Sequence, residues 1–116
     1  MKRLLICGSR DWTDHNTIKS VLSNYSKEII VITGGCRGAD TIAENVAKNL
    51  GMTVQVFNAD WKKYGRAAGP IRNQKMLEEK PDLVIAFHEN LDNSKGTKDM
   101  VNRARKAGIE IMIVST

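Results

Sequence analysis

The chain is predicted to fold as a three-layer α/β/α domain around a five-stranded, mainly parallel sheet, and three observations carry that prediction. Short, almost wholly apolar, β-rich runs recur along it; segments with helical spacing alternate with those runs; glycine or proline stands at the junctions. Continuous apolar strands suit a sheet covered on both faces, and strands alternating with helices build a parallel, doubly wound sheet.

The elements follow in order. Leu4-Leu5-Ile6-Cys7 reads as the first strand, and Ile18, Val21, Leu22 and Tyr25 line one face of the helix after it. Ile29-Ile30-Val31-Ile32 is the second strand. Ile42, Ala43, Val46, Ala47 and Leu50 then form a single helical stripe that Gly51 stops. Val54-Gln55-Val56-Phe57 is a mixed third strand. Pro70 suits the first turn of a third helix and Pro81 closes it. Leu83-Val84-Ile85-Ala86-Phe87 is the fourth strand. A last helix ends at Gly108 after Ala104 and Ala107, and Ile109-Glu110-Ile111-Met112-Ile113-Val114 is the fifth strand. The third and fifth strands, being mixed, are expected near the sheet edges. The whole is Rossmann-like.

With 116 residues there is room for one domain, spanning residues 1–116. An apolar fraction of 41% and a charged fraction of 27% are ordinary for a globular chain. No apolar run approaches the ~20 residues of a membrane span. Met1-Lys2-Arg3-Leu4 leads straight into a strand with no mark of export, so a cytoplasmic protein is expected. Cys7 and Cys36 make neither a close-spaced metal pair nor a disulfide scaffold and read as small buried thiols. His15 and His88 have no cluster with metal-ligand spacing, so neither a metal nor another cofactor is expected. The net charge of +5 suits phosphates or nucleic acid. Arg10, Arg37, Arg66 and Arg72 carry the informative part of it, in glycine-bearing segments at strand ends.

In an open α/β sheet ligands bind at the carboxyl ends of the strands, and four segments there carry unusual residues. Gly8-Ser9-Arg10-Asp11-Trp12 combines a sharp turn, a hydroxyl and an arginine fork. Thr33-Gly34-Gly35-Cys36-Arg37-Gly38-Ala39-Asp40 joins a buried strand to an amphipathic helix. Its glycines let backbone N–H groups converge on an anion at a helix N-terminus. Asp40 suits that terminus as a cap or as a ligand to ribose hydroxyls. The turn is neither a Walker A motif nor a G-x-G-x-x-G fingerprint. The long connection of residues 58–69 holds Trp61 and Tyr64, which either stack on a base or pack the loop, and it leads to Arg72 and Asn73. Beyond the fourth strand, Ser94, Gly96 and Thr97 form a second hydroxyl-and-glycine turn, with Ser94 or Thr97 available as an N-cap. The nucleophile elbow G-x-S-x-G does not occur.

Gly8-Ser9-Arg10 with Trp12, Gly34-Gly35-Cys36-Arg37-Gly38-Ala39-Asp40, Ala59-Asp60-Trp61 with Tyr64-Gly65, Ala68-Gly69 with Arg72-Asn73, and Ser94-Lys95-Gly96-Thr97 with Met100 occur in this order. Together they resemble the YspA-like branch of the SLOG superfamily, named for its Smf/DprA and LOG members, over nearly the whole chain. The resemblance implies a Rossmann-like domain that binds nucleotides or nucleotide-derived molecules, commonly as a homodimer or higher homo-oligomer. LOG enzymes cleave the N-glycosidic bond of nucleoside monophosphates with an arginine on the third helix and a glutamate three residues after a Gly-Thr turn. Arg72 matches the arginine and Gly96-Thr97 the turn, but Met100 stands at the acid's position and Asp99 lies one residue early, about 100° round the helix.

Ligand binding therefore leads: a sensor or sequestering protein for a nucleotide-derived molecule such as an ADP-ribose or cyclic-nucleotide species. Its site residues are Gly8, Ser9, Arg10, Gly34, Gly35, Arg37, Gly38, Asp40, Trp61, Tyr64, Arg72, Asn73, Ser94, Gly96 and Thr97. The alternative is a phosphoribohydrolase-like enzyme, with Arg72 and Asp99 as candidate catalytic groups and Asp40, Asp60 or Glu89 as other acids. Single-stranded DNA binding ranks last, because the arginines gather at one edge and form no long basic track.

Overall fold

The computed structural model describes residues 1–115; Thr116 lies outside the described residues. Its sheet runs β1 (Arg3–Gly8), β2 (Ile30–Thr33), β3 (Thr53–Val56), β4 (Leu83–Phe87) and β5 (Glu110–Val114). The spatial order is β3-β2-β1-β4-β5, and every pairing is parallel. The mixed strands β3 and β5 are the two edges, as expected.

Alternation along the central strands sorts the core into two layers. Leu4 and Ile6 of β1, Val31 of β2 and Leu83, Ile85 and Phe87 of β4 face α1 (His15–Leu22) and α2 (Ala39–Asn49). Leu5, Cys7, Ile32, Val84 and Ala86 face the other way, against Met76 and Leu77 of α4 (Ala68–Glu78) and Met100, Val101 and Ala104 of α5 (Gly96–Lys106). Both faces are thus buried, which is why these strands are apolar without interruption.

The segment at residues 58–69 is less irregular than its composition indicates. It holds a short helix, α3 (Trp61–Tyr64), and a 3-10 turn (Gly65–Ala67) that runs into α4. Asp60 caps α3 by accepting the Lys63 N–H at 3.1 Å. No described helix is long and apolar enough to cross a membrane.

Sheet order reverses between β1 and β4, since β2 and β3 lie to one side and β5 to the other. The segments leaving the carboxyl ends of β1 and β4 diverge there and open a crevice. One contact fixes the crevice wall. The Ala39 N–H donates to the Ser9 carbonyl at 3.0 Å, locking the turn before α2 onto the segment after β1. Gly38 makes this possible: its φ is +79°, and a Cβ there would lie 2.4 Å from the Ser9 carbonyl oxygen.

Candidate functional site

Two adjoining cavities occupy the crevice. The larger, about 1050 Å³, carries Gly8, Ser9, Asp40, Asn73, Ser94, Gly96, Thr97 and Asp99 on its walls. The smaller, about 580 Å³, lies over the glycine turn against Gly34, Gly35 and Arg37. Arg10, Cys36, Trp61 and Arg72 belong to both and form the ridge between them. Two expected residues lie on neither wall. Gly38 serves the loop contact described above. Tyr64 turns away, with the ammonium groups of Lys63 and Lys75 over its ring at 5.1 and 6.0 Å.

Arg72 is the best-fixed cation of the crevice. It projects from the second turn of α4 and is only 9% exposed. Its Nη1 donates to the Gly34 carbonyl at 2.6 Å and lies 3.7 Å from the Cys36 sulfur, while Nε donates to Asn73 Oδ1 at 3.0 Å. Asn73 in turn donates through Nδ2 to Asp99 Oδ2 at 3.0 Å and to the Gly96 carbonyl at 3.2 Å. Asp99 also accepts from Arg103 Nε at 2.8 Å. This chain of bonds ties α4 to α5 and holds the guanidinium plane in place. Among the described residues no hydrogen bond engages Nη2 of Arg72, and no ion pair includes it.

The glycine turn carries its own anion. Gly38 holds the N-cap position of α2, so Asp40 lies inside the first turn and does not cap it. The Asp40 carboxylate folds back over the loop, and Oδ2 accepts the Cys36 N–H at 3.3 Å. Its Oδ1 is buried without a hydrogen-bond partner among the described residues. Burial pushes this carboxyl up to about 6, against the opposing pull of the Cys36 amide, the Arg72 guanidinium, the Gly34 amide and Arg10.

The cysteines divide. Cys7 is a buried thiol, as expected, and burial drives its titration far above the ordinary range. Cys36 departs from that expectation: it is half-buried and sits on the ridge, because the turn lifts off the sheet end just before it.

The flanking loops add polar groups. Ser9 is buried; its hydroxyl donates to Glu89 Oε1 at 2.7 Å and accepts the Asp11 N–H at 3.0 Å. That hydroxyl is the main reason the Glu89 carboxyl titrates below its ordinary value. Ser94 acts as a cap, accepting the Thr97 and Lys98 N–H groups at 3.0 and 3.4 Å. Met100 is fully buried in the core, so no acid occupies its position. Asp99, one residue early, points away from Met100 to the cavity wall, and its carboxylate is spent on Asn73 and Arg103.

Trp61 is half packed and half exposed, and it lines both cavities. It stands over Gly69, as a bare aromatic face beside Arg10 and Arg72. Sequence reasoning passed over Asn58 and His88 as wall residues. Asn58 packs against Gly35, and His88 accepts the Asn90 N–H at 2.9 Å through Nδ1. Their positions at the ends of β3 and β4 were the only available signal.

The family model for the YspA, cpYpsA-related SLOG family matches residues 2–64. The Gene 61 protein of Mycobacterium phage D29 is 36% identical over 121 aligned positions, covering 97% of this chain and 95% of that one. Among solved structures, DNA processing protein A (DprA) from Streptococcus pneumoniae superposes with a TM-score of 0.81. That match is 17% identical and covers all of this chain, which spans 51% of DprA, so it speaks for the fold alone. With the family model matching over half its length and a full-length relative beside it, the chain belongs to the YspA, cpYpsA-related SLOG family.

Proposed function

We propose that this chain binds a nucleotide or nucleotide-derived small molecule, as a sensor or sequestering protein, with a phosphate seated at Arg72. One observation carries the reading: a buried, rigidly held guanidinium that, among the described residues, pairs with no carboxylate and keeps Nη2 uncommitted. A buried charge is costly without a counter-charge, and an anionic ligand supplies one. Arg10 lies on the same ridge with Arg37 beside it, and the exposed part of Trp61 would be a stacking surface for a base. Gly8, Ser9, Asn73, Ser94, Gly96 and Thr97 would bound the remainder of the ligand. Thermal-shift measurement against nucleoside mono- and diphosphates and ADP-ribose tests the reading. At least one should raise the midpoint at millimolar concentration; no response from any would overturn it.

Family membership and the DNA-processing neighbour keep a nucleic-acid partner in view, and Trp61 beside two arginines is the feature that favours it. A short single-stranded oligonucleotide added to the same panel separates the two, since strand binding weakens steeply with salt. Self-association is the remaining part of the proposal. It is supported by the edge strand β5, which leaves Met112 and Ile113 exposed, and sedimentation reads it directly.

A further inference from the structure

The carboxyl groups around the crevice are all engaged except one. Glu89 accepts from Ser9, Asp99 from Asn73 and Arg103, and Asp11 lies 3.7 Å from Arg37. Asp40 accepts a long hydrogen bond from the Cys36 amide, with the Gly34 amide also acting on it, and its Oδ1 is buried without a hydrogen-bond partner among the described residues. It also stands where a ligand's charge would come. A Cβ on Gly34 would lie 2.5 Å from Arg72 Nη1 and 3.1 Å from Asp40 Oδ2, so the guanidinium and the carboxylate flank one glycine without forming an ion pair. An anion on Arg72 and an ionised Asp40 are then like charges a few ångströms apart in a half-closed site, where one of the two is driven neutral. The Cys36 N–H that Asp40 accepts is also one of the amides an anion would use.

We propose that an anionic ligand enters this crevice together with one proton, which Asp40 takes up. Protonation ends the repulsion and releases the Cys36 amide to the ligand. The site is thus tuned toward anions at mildly acidic pH and resists them as the carboxyl ionises. The inference rests on reading the crevice as an anion site. The charged or titratable groups facing Asp40 are Cys7 from β1, Arg10 from the segment after it, Cys36 in its own turn and Arg72 from α4. Across the larger cavity stand His88, Glu89 and Asp99. Histidines as a class titrate in the same window, so His88→Gln is the control.

Inorganic sulfate is the probe, because its charge does not change between pH 5 and 8. Its Kd for the unaltered chain, read by NMR titration, should weaken about 50-fold between pH 6 and 8, the limit for uptake of one proton by a group titrating near 6. In Asp40→Asn it should change less than about threefold, while His88→Gln should keep the full slope. A flat profile in the unaltered chain, or the same slope in Asp40→Asn, overturns the inference and leaves the anion site standing. If sulfate binds neither protein at any pH, the anion site falls and the inference with it. Should Asp40→Asn not fold, the carboxyl carbon of Asp40 in the unaltered chain gives the answer. Its titration should move up by about two units or more under saturating sulfate, and an unmoved or lowered midpoint refutes proton uptake.

Discussion

Gly34→Ala perturbs Arg72 without touching any charge, and the structure sets the size of the effect. The new methyl would lie 2.5 Å from Nη1 and 2.8 Å from Cζ of Arg72, against the 3.4 Å at which ordinary contact begins. The guanidinium must therefore retreat by about 0.9 Å, the difference 3.4 − 2.5. The Gly34 carbonyl lies to one side of that line, so the retreat lengthens its 2.6 Å bond from Nη1 by less than the full shift and pulls it out of alignment. Gly34 is not among the positive-φ glycines, so the backbone itself tolerates alanine. Weakening this charge-assisted bond costs at most the about 1.5–3 kcal/mol of its full loss, or about 6–12 °C in Tm for a domain of this size. The displaced guanidinium should also lose its bond to a bound anion, weakening sulfate about 10- to 150-fold. Urea unfolding and a sulfate titration read the two effects. Gly96→Ala is the contrast, because nothing lies within 4 Å of its Cβ position, and it should not lower stability. Unchanged stability and sulfate affinity in Gly34→Ala would refute the placement of Arg72.

Three further outcomes follow from the same geometry. Trp61→Leu should alter stability by less than about 1 kcal/mol, because half the ring is already in water. It should nonetheless weaken AMP about 5- to 100-fold through lost stacking and leave sulfate unaffected. Ser94→Ala removes the acceptor of two N–H groups at the start of α5, and should cost about 1 kcal/mol in urea unfolding. For Asp40 the folded carboxyl titrates at about 6 against the ordinary 3.8, so its neutral form is the one that folding favours. Its contribution is fully present below about pH 4 and is lost as pH rises through 6. Urea midpoints should show the stability difference between Asp40→Asn and the unaltered chain widening by about 2 kcal/mol from pH 4 to 7, in the variant's favour. A constant difference would mean that Asp40 is not buried bare.

The strands were legible because both faces of the sheet are covered. Leu83-Val84-Ile85-Ala86-Phe87 is apolar throughout and coincides with β4 to the residue. Mixed composition marked β3 and β5 as edges for the same reason. Strand order was not legible, since the parallel connections look alike whichever side of β1 they return to. The short helix at Trp61–Tyr64 was hidden because a four-residue element is too short to show a period. At the site, the arginines and hydroxyls were readable as types, because loop positions at strand ends are few. Their partners were not. The bond between Ser9 and Glu89 spans 80 residues, and Arg72 meets Gly34 across 38. The folding back of Asp40 depends on the φ of Gly35 and Gly38, both positive, which a sequence of glycines permits but does not specify. For Tyr64 the sequence left stacking and packing open, and α3 sets its ring beside Lys63 and Lys75.

If Arg72 seats a phosphate, the crevice has an affinity for that group that a neutral nucleoside cannot use. Calorimetry of AMP and adenosine against the unaltered chain at pH 6 tests this most directly. The two ligands share base and sugar, so their difference isolates the phosphate. AMP should bind at least about tenfold tighter, the worth of one charge-assisted hydrogen bond. Equal affinities, or no binding of AMP at millimolar concentration, would contradict the account.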